Sequence, residues 1–460
     1  MLRSRVLACV SSLLLSACSI DLTGSLGLDG GSGGTGATGR GTGSLVVGDE
    51  PFAVRTGASI LSQGGSAVDA ATATYFALSV TYPVAAGLGG GGICIVHDSA
   101  SGRNEEFNFL ARDSSGGGAY AVPGSVRGFA LMQSLYGTLP WQRDVSPGEG
   151  YAATGFPISS ALAARLAAAQ DVIRLDAKLA AEFMDESGKV KPEGTIVSNP
   201  DLAATLAALR VDGPNGFYKG PVGAHIIAYS QEQGGAIGVS EFAGSTATVG
   251  APQAMQMGNY YVYLPSVQTG SGKFAGALFD NINRAQGTSI GAADLQATVV
   301  YAVKQALTQF AITNLPADLG ATGFAAIDSR GQAVACAVTM NGPFGSGHTA
   351  TGTGVTLARA PSSGQTGVAA AFLTPVIATE GGAGNVSFAG AGAGGPNGTA
   401  AIGYALGRLA VGERLLSPGD MRSTGVPFDT INAVACQSGA CVALPDPAGH
   451  GMGASGDIGR

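Results

Sequence analysis

The segment from Asp318 to Gly347 carries the side chains with the clearest potential for chemistry in this sequence. It reads DLGATGFAAIDSRGQAVACAVTMNGPFGSG, and apolar runs on either side of Asp328 predict two strands joined by a turn. Thr322 stands near the start of the first strand, and Thr339 stands near the end of the second. A threonine hydroxyl needs an adjacent base before it can attack a carbonyl carbon. The first question is therefore whether a usable hydroxyl lies at the start of the first strand.

A second hydroxyl, that of Ser289, lies in the stretch GTSIG at Gly287–Gly291. This stretch matches the G-x-S-x-G pattern of the serine-hydrolase elbow, which requires a strand immediately before it. The preceding residues, AGALFDNINRAQ, have a helical pattern instead. We therefore rank Ser289 below the 318–347 segment as a candidate nucleophile.

Composition limits the class of protein. The chain has 460 residues, of which 45% are apolar, so it can bury a large core. Only 12% of its residues are charged and its net charge is -7, which argues against nucleic acid as a partner. The four histidines are scattered and the cysteines lack zinc-type spacing. We predict no metal and no cofactor.

The first 18 residues, MLRSRVLACVSSLLLSAC, predict an export signal with two arginines, a short apolar run and small residues at its end. The run is too short for a spanning helix. LSAC resembles the lipobox of bacterial lipoproteins, which would make Cys18 the lipidated first residue of the mature chain; an ordinary cleaved signal is the alternative. Residues 19–44 then predict a Gly/Ser-rich tether. We expect one folded domain over 45–460, facing the periplasm and anchored to a membrane; Ser19 is typical of outer-membrane sorting in enterobacterial lipoproteins.

Four cysteines remain beyond the signal, in a compartment where disulfides can persist. Cys436 and Cys441, in CQSGAC, could close a small loop. Cys94 and Cys336 lie within apolar runs, which favours buried free thiols at both positions.

The surrounding elements change in type along the chain. RTGASILSQGGSAVDAATATYFALSVTYP predicts two helices separated by Gly64-Gly65 and ended by Pro83, and the middle of the chain is largely helical, with Asn199 as a predicted cap. From about Thr322 strands dominate, including AAAFLTPVIAT and INAVACQSGACVAL. AGAGAGGPNGTAAIGYALGRLA predicts a glycine-rich turn that leads into a helix. These elements fit a layered, mixed α/β domain.

The order of motifs over residues 45–460 resembles the γ-glutamyltransferase (γ-glutamyltranspeptidase) family. The resemblance is carried by GGSAVDAATATYFALSVTYPVAAGLGGGGICIV, VPGSVRGFALMQSLYGTLPW, NPDLAATLAAL, FAAIDSRGQAVACAVTMN and a final GASGD. It implies an N-terminal-nucleophile hydrolase fold, a four-layer αββα sandwich. It also implies a precursor that cuts itself before a threonine, with 45–320 like the large subunit and 321–460 like the small one. The freed threonine would take a γ-glutamyl group from glutathione-like substrates.

The resemblance also implies roles for individual residues around the cut. The family's nucleophilic threonine falls on Ala321, and the threonine after it falls on Thr322. Thr339 falls on the threonine that hydrogen-bonds the nucleophile, and Asn341 falls on an asparagine that binds the amino-acid end of the substrate. The supporting positions are therefore kept, whereas the reacting hydroxyl is replaced by a methyl group.

At other positions of the family's site, this sequence keeps some of the family's residues and lacks others. Gly394 and Gly395 fall on the paired glycines whose N–H groups form the oxyanion hole. The arginine that clamps the substrate carboxylate falls on Leu110, but Arg112 would lie on the same face if the strand is regular, as a shifted replacement. A serine pair that helps to hold the substrate falls on two apolar residues.

Two hypotheses follow. In the first, the chain is an exported, lipid-anchored protein that is degenerate in self-cleavage and γ-glutamyl transfer and keeps the scaffold to bind a γ-glutamyl or peptide-like small molecule. In the second, it is an active γ-glutamyl transferase or hydrolase that uses Thr322. A regular strand would point Thr322 away from Thr339, because a shift of one residue reverses the face.

Overall fold

Two facing β-sheets form the centre of the molecule. The computed structural model describes residues 40–41, 43–286, 292–363, 365–382, 384–421 and 428–457, so the predicted signal and most of the predicted tether lie outside the described residues. The described residues fall within one compact unit, Thr35–Arg460. Each large sheet has seven strands, all paired antiparallel. Helices cover the outer face of each sheet, which confirms the predicted four-layer αββα sandwich.

The strands fall into two large sheets and three small pairs. Sheet 1 runs in the order β1 (Arg40–Gly41), β19 (Ala440–Leu444), β18 (Thr430–Gln437), β17 (Val386–Ala393), β16 (Thr374–Glu380), β11 (Tyr260–Leu264), β10 (Gln253–Met257). Sheet 2 runs in the order β20 (Met452–Ser455), β2 (Leu45–Gly48), β12 (Ala321–Ile327), β13 (Ala333–Thr339), β3 (Gly91–Asp98), β4 (Arg103–Asn108), β9 (Thr248–Gly250). The small pairs are β5 (Arg112–Asp113) with β6 (Ala121–Val122), β7 (Phe156–Pro157) with β8 (Ile196–Val197), and β14 (Thr349–Ala350) with β15 (Val355–Thr356).

The helices divide between the two outer layers. The larger group belongs to the layer on sheet 2: α1 (Pro51–Ser62), α2 (Ala67–Thr81), α3 (Ser125–Tyr136), α4 (Trp141–Thr154), α5 (Ser160–Ala168), α6 (Gln170–Ile173), α7 (Ala177–Phe183), α8 (Pro200–Asp212), α9 (Pro214–Tyr218), α10 (Gly220–Glu232), α11 (Val239–Ala243). Sheet 1 is covered by α12 (Gly270–Gln286), α13 (Ala292–Gln309) and α14 (Pro396–Ala410). None of the helices in the described part of the chain is both long enough and apolar enough to cross a membrane.

The β12–β13 hairpin shows how the sequence pattern specifies the layers. Its register pairs Ala321 with Thr339 at one end and Ile327 with Ala333 beside the turn, which confirms the predicted hairpin. Side chains alternate along β12, so Phe324 packs against the helices on sheet 2, whereas Ile327 packs between the sheets. Adjacent residues at the start of β12 therefore face different layers.

The predicted helix pair near the N-terminus is confirmed as α1 and α2. Ser66 caps α2 through a reciprocal capping box with Asp69, which satisfies free N–H groups at the helix start. Every residue of α2 is buried, because α2 packs against α1, α4 and sheet 2. The small side chains of this helix allow that close packing on all sides.

Three expectations about secondary structure were wrong. The glycine-rich stretch before α14 is the strand β17, in which glycine permits close backbone approach: a Cβ on Gly392 would lie 2.4 Å from the Gly398 oxygen. Strands β10 and β11 occur well before Thr322. Part of AAAFLTPVIAT forms a 3₁₀ segment, Gln365–Phe372, rather than a strand.

The expectation of free thiols at Cys94 and Cys336 was also wrong, because the two residues form a disulfide. They lie directly opposite each other on β3 and β13, with Cα atoms 4.1 Å apart, and cross-strand neighbours of this kind bring their Cβ atoms close together. Cys436 and Cys441 form a second disulfide across β18 and β19. The first disulfide covalently joins the region before Ala321 to the region after it.

Candidate active site

Backbone contacts hold the peptide bond between Gly320 and Ala321 on several sides. Gly320 has a φ of +60°, a conformation that favours glycine. Its N–H donates to Oδ1 of Asp318 at 2.7 Å. Its carbonyl oxygen accepts from the N–H of Met340 at 2.9 Å and from Oγ1 of Thr339 at 2.9 Å. Thr339 therefore contacts the carbonyl group at which a cut before residue 321 would occur.

A buried ion pair fixes the start of β12 from the helical side. Arg165 on α5 donates to both carboxylate oxygens of Asp318, with one N···O distance of 3.1 Å, and to the carbonyl oxygen of Ala321 at 2.9 Å. The two side chains are 2% and 8% exposed. Burial by itself lowers the pKa of Arg165, but the charges and hydrogen bonds of Asp318 and Tyr82 together outweigh that effect, and the net direction is upward. The pair was not predicted, since its members are 153 positions apart.

The side chain of Ala321 is fully buried in a small apolar cluster between the two sheets. Leu110, at the position expected for the carboxylate-binding arginine, packs against the same cluster. The cluster consists of Ala321, Ala337, Leu373, Ala391 and Ala393. Ala321 therefore presents a methyl group at the position considered for the nucleophilic hydroxyl. Leu110 is apolar at the position considered for the arginine that binds the substrate carboxylate.

Thr322 lies on the other face of β12, and its hydroxyl donates to Oδ2 of Asp49 at 2.6 Å. The Asp49 carboxylate also accepts from Nδ2 of Asn432 at 2.7 Å, and that amide donates to the Gly323 carbonyl at 2.9 Å. Burial raises the pKa of Asp49, although the hydrogen bonds from Thr322 and Asn432 oppose the rise. Sequence reasoning missed Asp49, which follows β2 and lies 273 positions from Thr322.

Asn341 follows β13 and lies next to Thr339. Its N–H donates to Oγ1 of Thr339 at 2.9 Å, and its side-chain Nδ2 donates to the Arg359 carbonyl at 2.9 Å. Its φ of +56° places it in the left-handed region, which asparagine tolerates better than most residues. Oδ1 of Asn341 is buried and has no hydrogen-bond partner among the described residues. The structure thus brings Thr339 and Asn341 together beside the Gly320 carbonyl.

Gly394 and Gly395 lead into the N-terminus of α14, and both are tightly packed. The φ of Gly394 is +90°, and a Cβ on Gly395 would lie 2.4 Å from Oδ1 of Asp429. Oδ2 of Asp429 accepts from the N–H and the side-chain amide of Asn397, at 3.1 and 2.8 Å. Burial raises the pKa of Asp429 to about 6, although its bonds with Asn397 oppose the rise. A carboxylate of the protein itself therefore occupies the helix N-terminus, a place that favours anions.

Comparison with known proteins identifies the family. A family profile described as gamma-glutamyltranspeptidase matches residues 53–280. The chain belongs to the γ-glutamyltranspeptidase family. It is 32% identical over 235 residues to glutathione hydrolase 2 of Arabidopsis thaliana, a match that covers 47% of this chain and 40% of that protein. It is also 32% identical over 241 residues to the glutathione hydrolase proenzyme of Escherichia coli, covering 48% and 41%.

The chain thus spans about two fifths of the length of these curated relatives. Among solved structures, a cephalosporin acylase from Bacillus halodurans superposes with a TM-score of 0.71 at 17% identity, covering 93% of this chain and 98% of the other. This likeness shows the shared N-terminal-nucleophile hydrolase fold. The residues matched by the family profile end before β12, so the profile match does not include the candidate nucleophile position.

Arg112 does not lie on a continuation of the strand that precedes it. Strand β4 ends at Asn108, and Arg112 pairs with Val122 in a separate two-stranded sheet, where its side chain is exposed. The condition of a regular strand from Leu110 to Arg112 is therefore not met. A substrate-binding role for Arg112 in this family member stays a prediction.

The stretch GTSIG with Ser289 lies outside the described residues. The residues before it form α12 rather than a strand, as the helical pattern indicated. Within the described ranges, no group of three or more His, Cys, Asp and Glu side chains is arranged to hold a metal ion.

Proposed function

We propose that this member of the γ-glutamyltranspeptidase family remains a single uncut chain and does not transfer γ-glutamyl groups through residue 321. The observation that carries the proposal is the fully buried methyl group of Ala321 in its apolar cluster. Self-cleavage and acyl transfer in this class both require an oxygen nucleophile at the first residue after the cut. Ala321 has no such oxygen, although Thr339 still donates to the Gly320 carbonyl.

Two further features support a loss of γ-glutamyl transfer. Leu110 cannot make the paired, charge-assisted hydrogen bonds by which an arginine holds a carboxylate. The carboxylate of Asp429 packs against Gly395, where an oxyanion would need donors and would be repelled by a negative charge. We infer a binding protein for a γ-glutamyl or peptide-like small molecule, built on the scaffold of an enzyme.

The test is the mass of the mature protein after reduction and alkylation. We expect one polypeptide that runs through residues 320 and 321 without a break. Reduction is essential, because the disulfide between Cys94 and Cys336 would hold two cleaved pieces together on a non-reducing gel. A pair of fragments of which the second begins at Ala321 or Thr322 would contradict the proposal.

The second candidate function is an active γ-glutamyl hydrolase or transferase that uses Thr322. One observation favours it: the Thr322 hydroxyl donates to the buried Asp49 carboxylate, which Asn432 holds in place. A hydroxyl bonded to an oriented base is the arrangement of an activated nucleophile. Glutathione hydrolysis by the wild type, by Thr322→Val and by Thr322→Ser separates the two candidates. Activity that is lost in the valine variant and kept in the serine variant would support this second function.

We also propose that the chain is exported and anchored to a membrane through a lipid on Cys18. The support is the order of the first 44 residues, a charged start, a short apolar run, LSAC and a glycine-rich tether. In a bacterial host, we expect the wild-type protein to enter the detergent phase of a Triton X-114 separation and the Cys18→Ala variant to remain in the aqueous phase. Equal partitioning of the two proteins would argue for an ordinary cleaved signal.

A further inference from the structure

A surface cavity of about 410 Å³ lies between α1 and α4, in the helical layer that covers sheet 2. Residues of α1 and its C-terminal cap form one wall, and residues of α4 form the other. The cavity shares no lining residue with the apolar cluster around Ala321. It is therefore separate from the candidate active site.

The cavity carries two positive charges. Arg55 and Arg143 line it from opposite walls, and no Asp or Glu among the described residues lines it. Neither arginine forms an ion pair with a carboxylate in the part of the chain that the structure describes. The whole chain has 31 acidic residues against 24 lysines and arginines, so the local charge is opposite in sign to the net charge. This arrangement favours an anionic ligand.

The acidic residues of the two walls do not cancel this charge. Helix α1 contains no acidic residue, and α4 contains Asp144 and Glu149. Asp144 is fully buried; burial and then the charge of Asp69 raise its pKa to about 9, so it is uncharged at neutral pH. The Glu149 carboxylate is paired with Arg210, with an N···O distance of 2.5 Å. The two lining arginines therefore keep their positive charge available to a ligand.

Neighbouring side chains hold both guanidinium groups in place. The Arg55 guanidinium carbon lies 5.6 Å from the centre of the Phe52 ring, within the range of a cation–π contact. Arg143 donates to Oε1 of Gln63, and Nε2 of Gln63 in turn donates to the Ser59 carbonyl oxygen at 3.0 Å. The bond to Gln63 uses one of the five N–H donors of Arg143. Such ordering lowers the entropy cost of holding an anion.

The remaining walls suit an apolar group. Ile60 lines the cavity and is 2% exposed, so it belongs to the core beneath α1. Pro147 and Tyr151 line the side of α4 and are half-buried. A ligand that fills the cavity would cover these surfaces, and removal of apolar surface from water favours binding. An inorganic ion would leave them exposed.

We propose that this cavity binds a small organic dianion with an apolar ring, of the kind found in an aryl phosphate monoester, with the anionic group between Arg55 and Arg143. Arginine suits phosphate because its planar guanidinium can donate two parallel hydrogen bonds to the oxygens. The cavity has room for such a ligand, since its volume equals that of about fourteen water molecules. This site goes beyond the proposed function, and it does not depend on whether the chain is cut.

Isothermal titration calorimetry on the mature protein at pH 8 tests the site with three probes. Phenyl phosphate has both the ring and two negative charges at this pH, because the second pKa of a phosphate monoester is about 6. Inorganic phosphate lacks the ring, and phenol lacks the charge. We expect saturable one-to-one binding of phenyl phosphate, about tenfold weaker binding of inorganic phosphate and none of phenol. Absence of saturable phenyl phosphate binding, or equal affinity for either of the other probes, would overturn the proposal.

Single charge changes locate the binding. Arg55→Gln and Arg143→Gln should each weaken phenyl phosphate binding by about tenfold or more, because each removes one of the two cations. Arg174→Gln is the matched control: it removes the same charge from an exposed arginine of the same helical layer that does not line the cavity, so the affinity should not change. All three positions are exposed, so the Tm without ligand should stay close to that of the wild type. Unchanged affinity in Arg55→Gln and Arg143→Gln, or an equal loss in Arg174→Gln, would place the anion elsewhere and overturn the proposal.

Discussion

Replacing Ala321 with threonine is expected to give the chain a slow cut between residues 320 and 321. The Gly320 carbonyl already accepts hydrogen bonds from Thr339 and from the Met340 N–H, which would polarise it for attack. Ala321 lies opposite Thr339 in the hairpin register, so an added hydroxyl would have a polar neighbour beside that carbonyl. Under the proposed function, the missing oxygen at residue 321 is the main chemical deficit for cleavage. The fraction of cut chain after reduction, followed by mass over hours to days, measures the effect.

The control is Ala321→Val, which adds the same shape without the hydroxyl. Both variants insert extra atoms into a fully buried site, so both should lose stability by ~1–3 kcal/mol from overpacking. Only the threonine variant should be cut. A threonine variant that folds with a Tm close to that of the valine variant, yet stays whole, would show that the loss of self-cleavage involves more than residue 321. Asp429 at the α14 N-terminus is then the next position to change.

Replacing Arg165 with methionine is expected to destabilise the fold by ~3–5 kcal/mol, the cost of leaving one partner of a buried ion pair without the other. The Asp318 carboxylate would stay buried without its cation, and the Ala321 carbonyl would lose a donor. Because Asp318 also accepts the Gly320 N–H, the disturbance would reach the start of β12. Urea unfolding at neutral pH, with the free energy extrapolated to water, measures the loss.

The double variant Arg165→Met, Asp318→Asn is the matched control. It removes both charges and keeps an acceptor for the Gly320 N–H, so it should be more stable than Arg165→Met alone. The remaining loss should be about 1–3 kcal/mol, from the unsatisfied Ala321 carbonyl. A single variant that loses less than about 1 kcal/mol would show that the pair contributes little to holding β12.

Much of the fold could be predicted because its signals are local. The capping pattern at Asn199 and the apolar spacing after it marked α8, and Gly64-Gly65 separated α1 from α2. The hairpin of β12 and β13 followed from two apolar runs around Asp328. Strand β17 was mistaken for a turn because its glycines are used for close packing against α14, a use that depends on a partner distant in sequence.

The candidate site was predictable only in part, and for a physical reason. The sequence determined that Thr339 stands opposite Ala321 and that Thr322 faces the other side, because strand alternation and hairpin register depend on neighbours in sequence. The correspondence of Ala321 to the family's nucleophile is what the resemblance implies. Tertiary structure alone decided which groups meet there. Asp49 reaches Thr322 across 273 positions, and Cys94 reaches Cys336 across 242. Such contacts depend on how the layers stack, and stacking is a property of the whole folded chain that no short stretch of sequence specifies.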